Sequence, residues 1–597
     1  MKELAHLNKY FWKYKFYLLL GILFVSLNNI AGVYPPRIIR YAFDLVKENI
    51  LYYQLFEDFA LQSDFYSFFS YALIVFGVVV LVLAIFKGVF LFFMRQTIIV
   101  MSRLIEYDLK NEIYEQYQRL SMAFYKRNQT GDLMSRVSED VSRVRMYVGP
   151  AIMYGINLTI LSTMVITAMV SVNPLLTLYV LSPLPILAIS IYYVNNIINK
   201  RSEDIQKQLS ELTSIAQESY SGIRVLKSYV QEESVNTYFG EESESYKQKS
   251  LALAKVQALF FPLMVALIGL STLLTIYLGG LEVMNGRLSA GNIAEFVIYV
   301  SMLTWPVASI GWVASIIQRA SASQKRINEF LEEKPDITNQ NKANFAVKGD
   351  IHFEDVSFTY PDTGIEALRN ISFHIKPQQK VAIVGRTGSG KSTIAALLVR
   401  MYDKTKGSIK IEGKEIAQVN LTILREQIGY VPQDIFVFSD TVANNIAFGN
   451  QSASMEDIRE AANMAAVHKD IIKLKDGYNT MLGERGVNLS GGQKQRVSLA
   501  RALIKDPQIL LFDDCLSAID SSTEKEILYN LNTFLKEKTA IIITHRISSL
   551  IDYDQILVMD DGEIVESGTH RTLIAQKGFY HDLYTKQEKE ENKMKPA

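Results

Sequence analysis

The chain has 597 residues, with 62 Lys and Arg against 62 Asp and Glu, so it is too long for one ordinary core and has no net charge to draw nucleic acid. Its single cysteine, Cys515, excludes an internal disulfide framework, and the cysteine usage gives no sign of an oxidising compartment. These averages hide a split: long apolar runs fill the first half, and from about Gly349 onward the composition is that of a soluble domain.

The basic start, Met1 to Lys15, is followed by the uncharged run Phe16–Pro36. That run can span a bilayer and more runs follow, so it reads as a first membrane helix and not as a cleaved signal peptide. Six transmembrane helices are predicted, near residues 16–36, 65–94, 146–172, 174–199, 256–281 and 291–318. The uncharged stretch from Met146 to Asn199 is too long for one span and divides at the turn signal Asn173-Pro174. Lys and Arg crowd the segment between spans two and three (Arg95 to Arg145) and the segment between spans four and five (Lys200 to Lys255). The turns on the opposite side are nearly bare of them, with only Arg287 after span five. Both termini and both basic segments are therefore predicted in the cytoplasm. The first outer loop, Arg37 to Asp64, carries mixed charge and does not change that orientation. Loops of about 50 residues without structure of their own are uncommon, so the basic segments are predicted to continue the membrane helices. Their tips, near Met122–Asp132 and Gln217–Tyr229, could then touch a soluble domain. Lys87 closes span two, where snorkelling accounts for its charge, and Trp305 and Trp312 lie on span six.

The domain plan is a transmembrane domain over 1–331, a polar linker over 332–348, a soluble domain over 349–587 and a charged tail over 588–597 predicted to lack structure. Within the soluble domain, Lys380–Val384 reads as a buried strand and Ile394 onward as a helix. Between them stands Gly385-Arg386-Thr387-Gly388-Ser389-Gly390-Lys391-Ser392-Thr393, a complete G-x-x-x-x-G-K-[ST] loop in its strand-to-helix setting. The glycines turn backbone N–H groups toward phosphates and the helix start adds its positive dipole end. Lys391 is predicted on the terminal phosphates and Ser392 on Mg²⁺. The strand Ile509–Phe512 delivers Asp513 and Asp514, the place of a metal-positioning acid. The strand Ala540–Ile543 delivers His545 past Thr544, at the strand end where sites form in open α/β sheets.

Between these elements lies Leu489-Ser490-Gly491-Gly492-Gln493-Lys494-Gln495-Arg496. With the complete motif order and the six preceding spans, the whole chain resembles an ABC-type exporter half-transporter of the multidrug and lipid exporter type. The implied fold is an all-α six-helix transmembrane domain followed by an α/β P-loop ATPase domain. Phe124-Tyr125-Lys126-Arg127-Asn128-Gln129-Thr130-Gly131-Asp132-Leu133 is similar to that family's first cytoplasmic coupling region. Ser490 is a good helix N-cap, and Gly491-Gly492 lets a phosphate approach the backbone. The resemblance implies that Ser490, Gly491, Gly492 and Gln493 contact the ATP held by a second subunit's P-loop. It also implies that Tyr360 stacks on adenine, that Gln433 senses Mg²⁺ and the attacking water, and that Asp520 signals across the dimer. Gly483-Glu484-Arg485-Gly486 resembles the end of a cross-subunit contact loop, with Met481 where the family has an acid.

One position departs from the family. Its usual catalytic base is a glutamate directly after the metal-associated aspartate, and here that residue is Asp514. A base one methylene short should leave ATP bound and slowly hydrolysed, because general-base catalysis needs reach first. The resemblance is then to the Asp-bearing subunit of asymmetric heterodimeric exporters, and a heterodimer is expected over a homodimer. The expected function is ATP- and Mg²⁺-dependent export of an amphipathic small molecule, drug or lipid, from a multi-pass position in the cytoplasmic membrane with the ATPase domain in the cytoplasm. An ATP-gated or regulatory, non-pumping subunit is the alternative. An importer is disfavoured because membrane and ATPase parts share one chain. The six spans exclude the soluble relatives of DNA repair and translation.

Overall fold

The structure, a computed structural model, describes residues 2–55, 61–339, 341–483, 486, 488–545 and 553–594. The chain forms two compact units, the first from Met1–Gln118 and Gly131–Glu333, the second from Arg119–Thr130 and Lys334–Ala597.

The first unit is helical. Among the described residues, six helices are long and apolar enough to cross a membrane: Lys15–Ile50, Tyr66–Arg119, Thr130–Val172, Pro174–Ser221, Glu232–Met284 and Ala290–Glu332. All six outrun the roughly 20 residues a bilayer core needs, and the basic segments between them are largely helical. The fourth and fifth helices pair along these extensions, where Arg201 donates to the Ala252 carbonyl at 2.8 Å and Gln208 donates to Glu242. The third and fourth helices part at Asn173, whose side chain accepts from the Leu176 N–H at 3.0 Å with Pro174 at the next helix's start. Proline at a first helical position costs no hydrogen bond, because that N–H has no partner inside the helix. The stretch predicted as the first outer loop, from Arg37, is helical up to Leu55, continuing through Pro35 and Pro36. The unit's core joins the first, third, fourth and sixth helices through Val33, Val165, Leu187, Phe296 and Tyr299.

The second unit holds two sheets. A four-stranded antiparallel sheet has the order β2-β1-β4-β5, with β1 Ile351–Thr359, β2 Glu366–Ile375, β4 Lys406–Ile411 and β5 Lys414–Glu415. A six-stranded sheet has the order β10-β9-β3-β8-β7-β6, with β3 Lys380–Gly385, β6 Ile428–Val431, β7 Ile509–Asp513, β8 Thr539–Ile543, β9 Gln555–Asp560 and β10 Glu563–Gly568. Strands β9, β3, β8, β7 and β6 run parallel. Parallel strands are covered on both faces and so read as unbroken apolar runs, as Val381–Val384 does. Val381 and Ile383 point into the core shared with the antiparallel sheet, and Ala382 and Val384 into the opposite one with Leu573 and Tyr580. The charged tail is not unstructured over its described part: helix Phe579–Met594 carries it, anchored by the fully buried Tyr580. Residues 119–130, inside the stretch read as transmembrane domain, belong to this unit: Ala123 is buried in its core, and the Ser121 hydroxyl donates to Asp336 at 2.8 Å.

Candidate functional site

The parallel register carries the ends of β3, β8, β7 and β6 to one edge of the sheet, and with them Gly385, Thr544-His545, Asp513-Asp514 and the segment leading to Gln433. From β3 the chain turns through residues 386–390 into helix Lys391–Leu398. The turn needs glycine at Gly390, which caps the helix at φ +93°, where a Cβ would run into the Ala367 carbonyl. It needs glycine again at Gly388, at φ +85°. No side chain caps this helix, so its first N–H groups stay available. The Lys391 ammonium is buried, curled onto the loop's own Gly385 and Arg386 carbonyls at 3.0 and 2.7 Å and the Ser389 hydroxyl at 3.3 Å. Burial lowers its pKa, against the opposing charges of Asp513 and Asp514. Arg386 and Thr387 are exposed on the loop, with the Arg386 guanidinium 5.0 Å from the Phe579 ring. An ammonium, four small hydroxyl residues (Thr387, Ser389, Ser392 and Thr393) and an uncapped helix start are a donor set suited to polyphosphate.

The Ser392 hydroxyl donates to Asp513 Oδ1 at 2.9 Å. Burial raises the Asp513 carboxyl above its ordinary value, with the Asp514 charge adding to the rise. A hydroxyl and a buried carboxylate side by side are hard oxygen ligands, which fit Mg²⁺. Asp514 sits at φ +47°, with its N–H donating to the Ile543 carbonyl at 2.9 Å and its carbonyl accepting from the Ser517 hydroxyl at 2.9 Å. The Cys515 thiol behind it is fully buried and pushed up by burial. His545 is half-buried, and its pKa is lowered by burial and by the Lys391 charge. Gln433 is exposed two residues beyond β6. Tyr360 follows β1, its hydroxyl hydrogen-bonded to the Thr393 hydroxyl at 3.0 Å. The Lys126 ammonium stands 5.5 Å from the Tyr360 ring.

Two predicted groups stand apart from this cluster. Ser490 caps helix Gly491–Leu503 in a reciprocal box with Gln493, and Ser490 and Gly491 are exposed. Among the described residues, no hydrogen bond or ion pair joins this cap to residues 385–393. Asp520 caps helix Ser521–Phe534, its Oδ1 accepting from the Ser522 and Thr523 N–H groups at 3.1 and 3.0 Å. The Ser522 hydroxyl, which also donates to Oδ1, and then the Thr523 N–H hold its carboxyl well below the usual range. Glu484 and Arg485 lie outside the described residues, and Met481 is exposed.

The sequence reading left out three groups. Gln495 ties the Gly491–Leu503 helix to the loop after β7: its Oε1 accepts from the Ala518 N–H at 3.1 Å and its Nε2 donates to Ser517 Oγ at 3.4 Å. It stood within the quoted motif without a role. Lys126 was named only as part of the coupling region. In the helical unit, the fully buried Glu295 accepts from Arg40 at 3.0 Å, with Arg37 3.8 Å away. An acid next to an uncharged run was the signal for it.

Two family models match the chain, "ABC transporter transmembrane region" over residues 18–307 and "ABC transporter" over residues 368–517. The chain is 36% identical to a probable multidrug resistance ABC transporter ATP-binding/permease protein, YheI, of Bacillus subtilis, over 98% of this chain and 97% of the relative. It is 37% identical to the multidrug resistance-like ATP-binding protein MdlA of Escherichia coli, over 81% of this chain and 82% of that protein. It is 35% identical to an ATP-dependent lipid A-core flippase of Syntrophus aciditrophicus, over 85% of this chain and 83% of that protein. Among solved structures, a bacterial Atm1-family ABC exporter with ATP bound superposes with a TM-score of 0.75 at 25% identity, over 96% of this chain and 99% of that one.

Proposed function

The chain belongs to the ABC transporter family, as a multi-pass membrane protein whose ATPase is coupled to transport, and on that premise we propose that it is one half of a dimeric exporter of an amphipathic small molecule, drug or lipid. The observation that carries the dimer is the exposed cap at Ser490–Gly491, a helix N-terminus suited to a terminal phosphate that has no link to the chain's own loop among the described residues. A second subunit's ATP fits that cap, so a site is complete only between two chains. The multidrug and lipid A relatives support the substrate class. The basic segments between spans support a cytoplasmic membrane position with the ATPase domain in the cytoplasm.

In this reading the N–H groups of residues 386–393 and the Lys391 ammonium hold the phosphates, and the Tyr360 ring receives the adenine. Ser392, Asp513 and Gln433 hold Mg²⁺, which supplies charge neutralisation on the phosphate oxygens. His545 stays neutral near the terminal phosphate, and Asp520 keeps the loop that follows Asp514 in place. Asp514 is the base, and its short side chain on a tethered backbone makes hydrolysis at this chain's own site weak. The active site then pairs this chain's Ser490 cap with a partner's P-loop and base, which favours a heterodimer. Asp514 also suits an ATP-gated or regulatory subunit that does not pump.

The test is transport by the chain reconstituted with the half-transporter that co-purifies with it, in inside-out vesicles. ATP should drive a fluorescent amphipath into the lumen against its gradient, and Lys391→Ala in this chain should slow it. ATP-dependent movement that only ever runs downhill would favour the gated subunit, and no ATP-dependent movement with any partner would end the proposal.

A further inference from the structure

The antiparallel sheet carries a cluster that nucleotide handling does not use. His352 on β1 lies directly opposite His374 on β2, so both side chains rise from the same outward face. The two imidazoles stack with ring centroids 3.7 Å apart and planes 20° from parallel. Both aim Nε2 at one carboxylate: His352 Nε2 is 3.1 Å from Asp350 Oδ2, and His374 Nε2 is 2.8 Å from Asp350 Oδ1. One atom from each of the three residues lies within 4.8 Å of the others. Asp350 and His352 are half-buried and His374 is exposed, so the cluster opens to solvent.

The backbone that carries Asp350 is held from behind. Glu412 Oε1 accepts from the N–H groups of Lys348, Gly349 and Asp350 at 2.7, 2.7 and 3.0 Å, and the Glu412 N–H donates to the Asp350 carbonyl at 3.0 Å. The Thr539 hydroxyl donates to the Gly349 carbonyl at 3.2 Å. Across the sheet, Lys410 opposite His352 is paired with both oxygens of Glu354 at 2.9 and 2.7 Å. Its charge is therefore offset before it can repel a bound cation.

We propose that Asp350, His352 and His374 form a binding site for a late first-row divalent cation, with Zn²⁺ as the reference ion. Two imidazole nitrogens and one carboxylate oxygen suit zinc, copper or nickel and not magnesium or calcium, which prefer oxygen alone. Zinc bonds of about 2.0–2.2 Å in a tetrahedral arrangement place ligand atoms roughly 3.3 Å apart. The observed spacings of 2.8 and 3.1 Å run to the two different oxygens of Asp350, and the stacked rings must rotate to turn both Nε2 lone pairs onto one cation. Binding uses the Nε2 lone pair of each neutral imidazole, whose single ring proton then sits on Nδ1, and solvent fills the remaining position. The cation would clamp β1 to β2, on the strand that ends beside Tyr360. This inference does not depend on what the chain transports.

The experiment uses the full-length protein in detergent, carrying a tag without histidine, stripped of metal and free of nucleotide. Zinc is titrated in competition with a chromophoric chelator, and the thermal midpoint is read with and without zinc. The wild type should take up one more zinc per chain than His352→Asn/His374→Asn, and only the wild type should gain thermal stability with zinc. Asp350→Asn alone should weaken binding about 10–100-fold, the range for losing an orienting or ligating group. The variants should bind ATP as the wild type does, which reports that they are folded. The proposal is overturned if wild type and double variant take up zinc equally, because the other five histidines would then account for it. It is also overturned if neither binds, in which case the three groups are only a hydrogen-bonded surface cluster.

Discussion

Lengthening one side chain, Asp514→Glu, is expected to speed ATP hydrolysis at this chain's own site and to cost stability. The Asp514 backbone is tethered on both sides, to the Ile543 carbonyl and the Ser517 hydroxyl, each at 2.9 Å. Its Cα cannot advance, so the reach of the carboxylate is set by side-chain length, and one methylene adds roughly 1.5 Å. A misplacement of about 1 Å at a reacting group can cost about 100-fold, and a positioned general base contributes about 10²–10⁴-fold. An increase of about 100-fold in turnover is therefore expected. The cost comes from the same backbone: at φ +47°, Asp tolerates the left-handed region where Glu does not. Left-handed geometry costs an ordinary L-residue about 1–2 kcal/mol, so the variant should lose about 1 kcal/mol. The assay is Mg-ATP turnover of the dimer with the partner's own base removed, with a thermal melt alongside. Unchanged turnover with ATP still bound would show that side-chain length is not what limits this site.

Gln495→Ala should cut ATP turnover at least tenfold and leave ATP binding to this chain's loop intact, since it frees helix Gly491–Leu503 from Ala518 and Ser517; equal turnover would remove that bridge from the mechanism. Ala123→Arg places a charge where the residue is 5% exposed in the ATPase core, so transport should fall while ATP binding persists, and transport at the wild-type rate would separate this segment from coupling. Glu295→Ala should cost about 3–5 kcal/mol by leaving Arg40 unpaired, and Glu295→Ala/Arg40→Ala should recover much of it; melting points that coincide for the two variants would argue against the pair. His545 is held below the ordinary imidazole value of about 6.5, first by burial and then by Lys391. The unfolded chain therefore binds the proton first as pH falls from about 6.5, so stability declines there while the folded ring stays neutral. The acid limb of ATPase activity should lie below pH 6.5 and disappear in His545→Ala, and a limb centred above that value would assign the titration to another group.

What was legible in the sequence was local. A glycine-rich turn between an apolar strand and a helix dictates its own backbone, and Asn173-Pro174 announces a helix break because each residue disfavours continuation. The acids and histidine at strand ends were legible because a parallel sheet collects those ends at one edge. Groups whose partners are distant in sequence were not. Glu295 escaped because its partners Arg37 and Arg40 lie 255 or more residues away in a stretch read as loop. His352 and His374 are unremarkable until strand register sets them opposite each other. The charged tail looked unstructured by composition, yet it extends a helix fixed by Tyr580, whose hydroxyl meets His570 at 2.9 Å.

The least legible fact bears most on coupling. Residues 119–130 are bounded on both sides by long helices of the membrane unit, yet they pack into the core of the ATPase unit. The chain therefore passes between its two units at three places, after Gln118, after Thr130 and after Glu333. A single polar linker could absorb a rearrangement of the ATPase unit by bending. The other two crossings lead into helices of tens of residues, Tyr66–Arg119 and Thr130–Val172, and a hydrogen-bonded helix transmits displacement along its axis. The docked segment also brings Lys126 to the face of Tyr360, whose hydroxyl holds Thr393 at the end of the phosphate loop. Segment 119–130 thus ties the core of the second unit to two helices of the first by continuous backbone. If that segment is the coupling element, loosening its packing at Ala123 must weaken transport more than it weakens ATP binding.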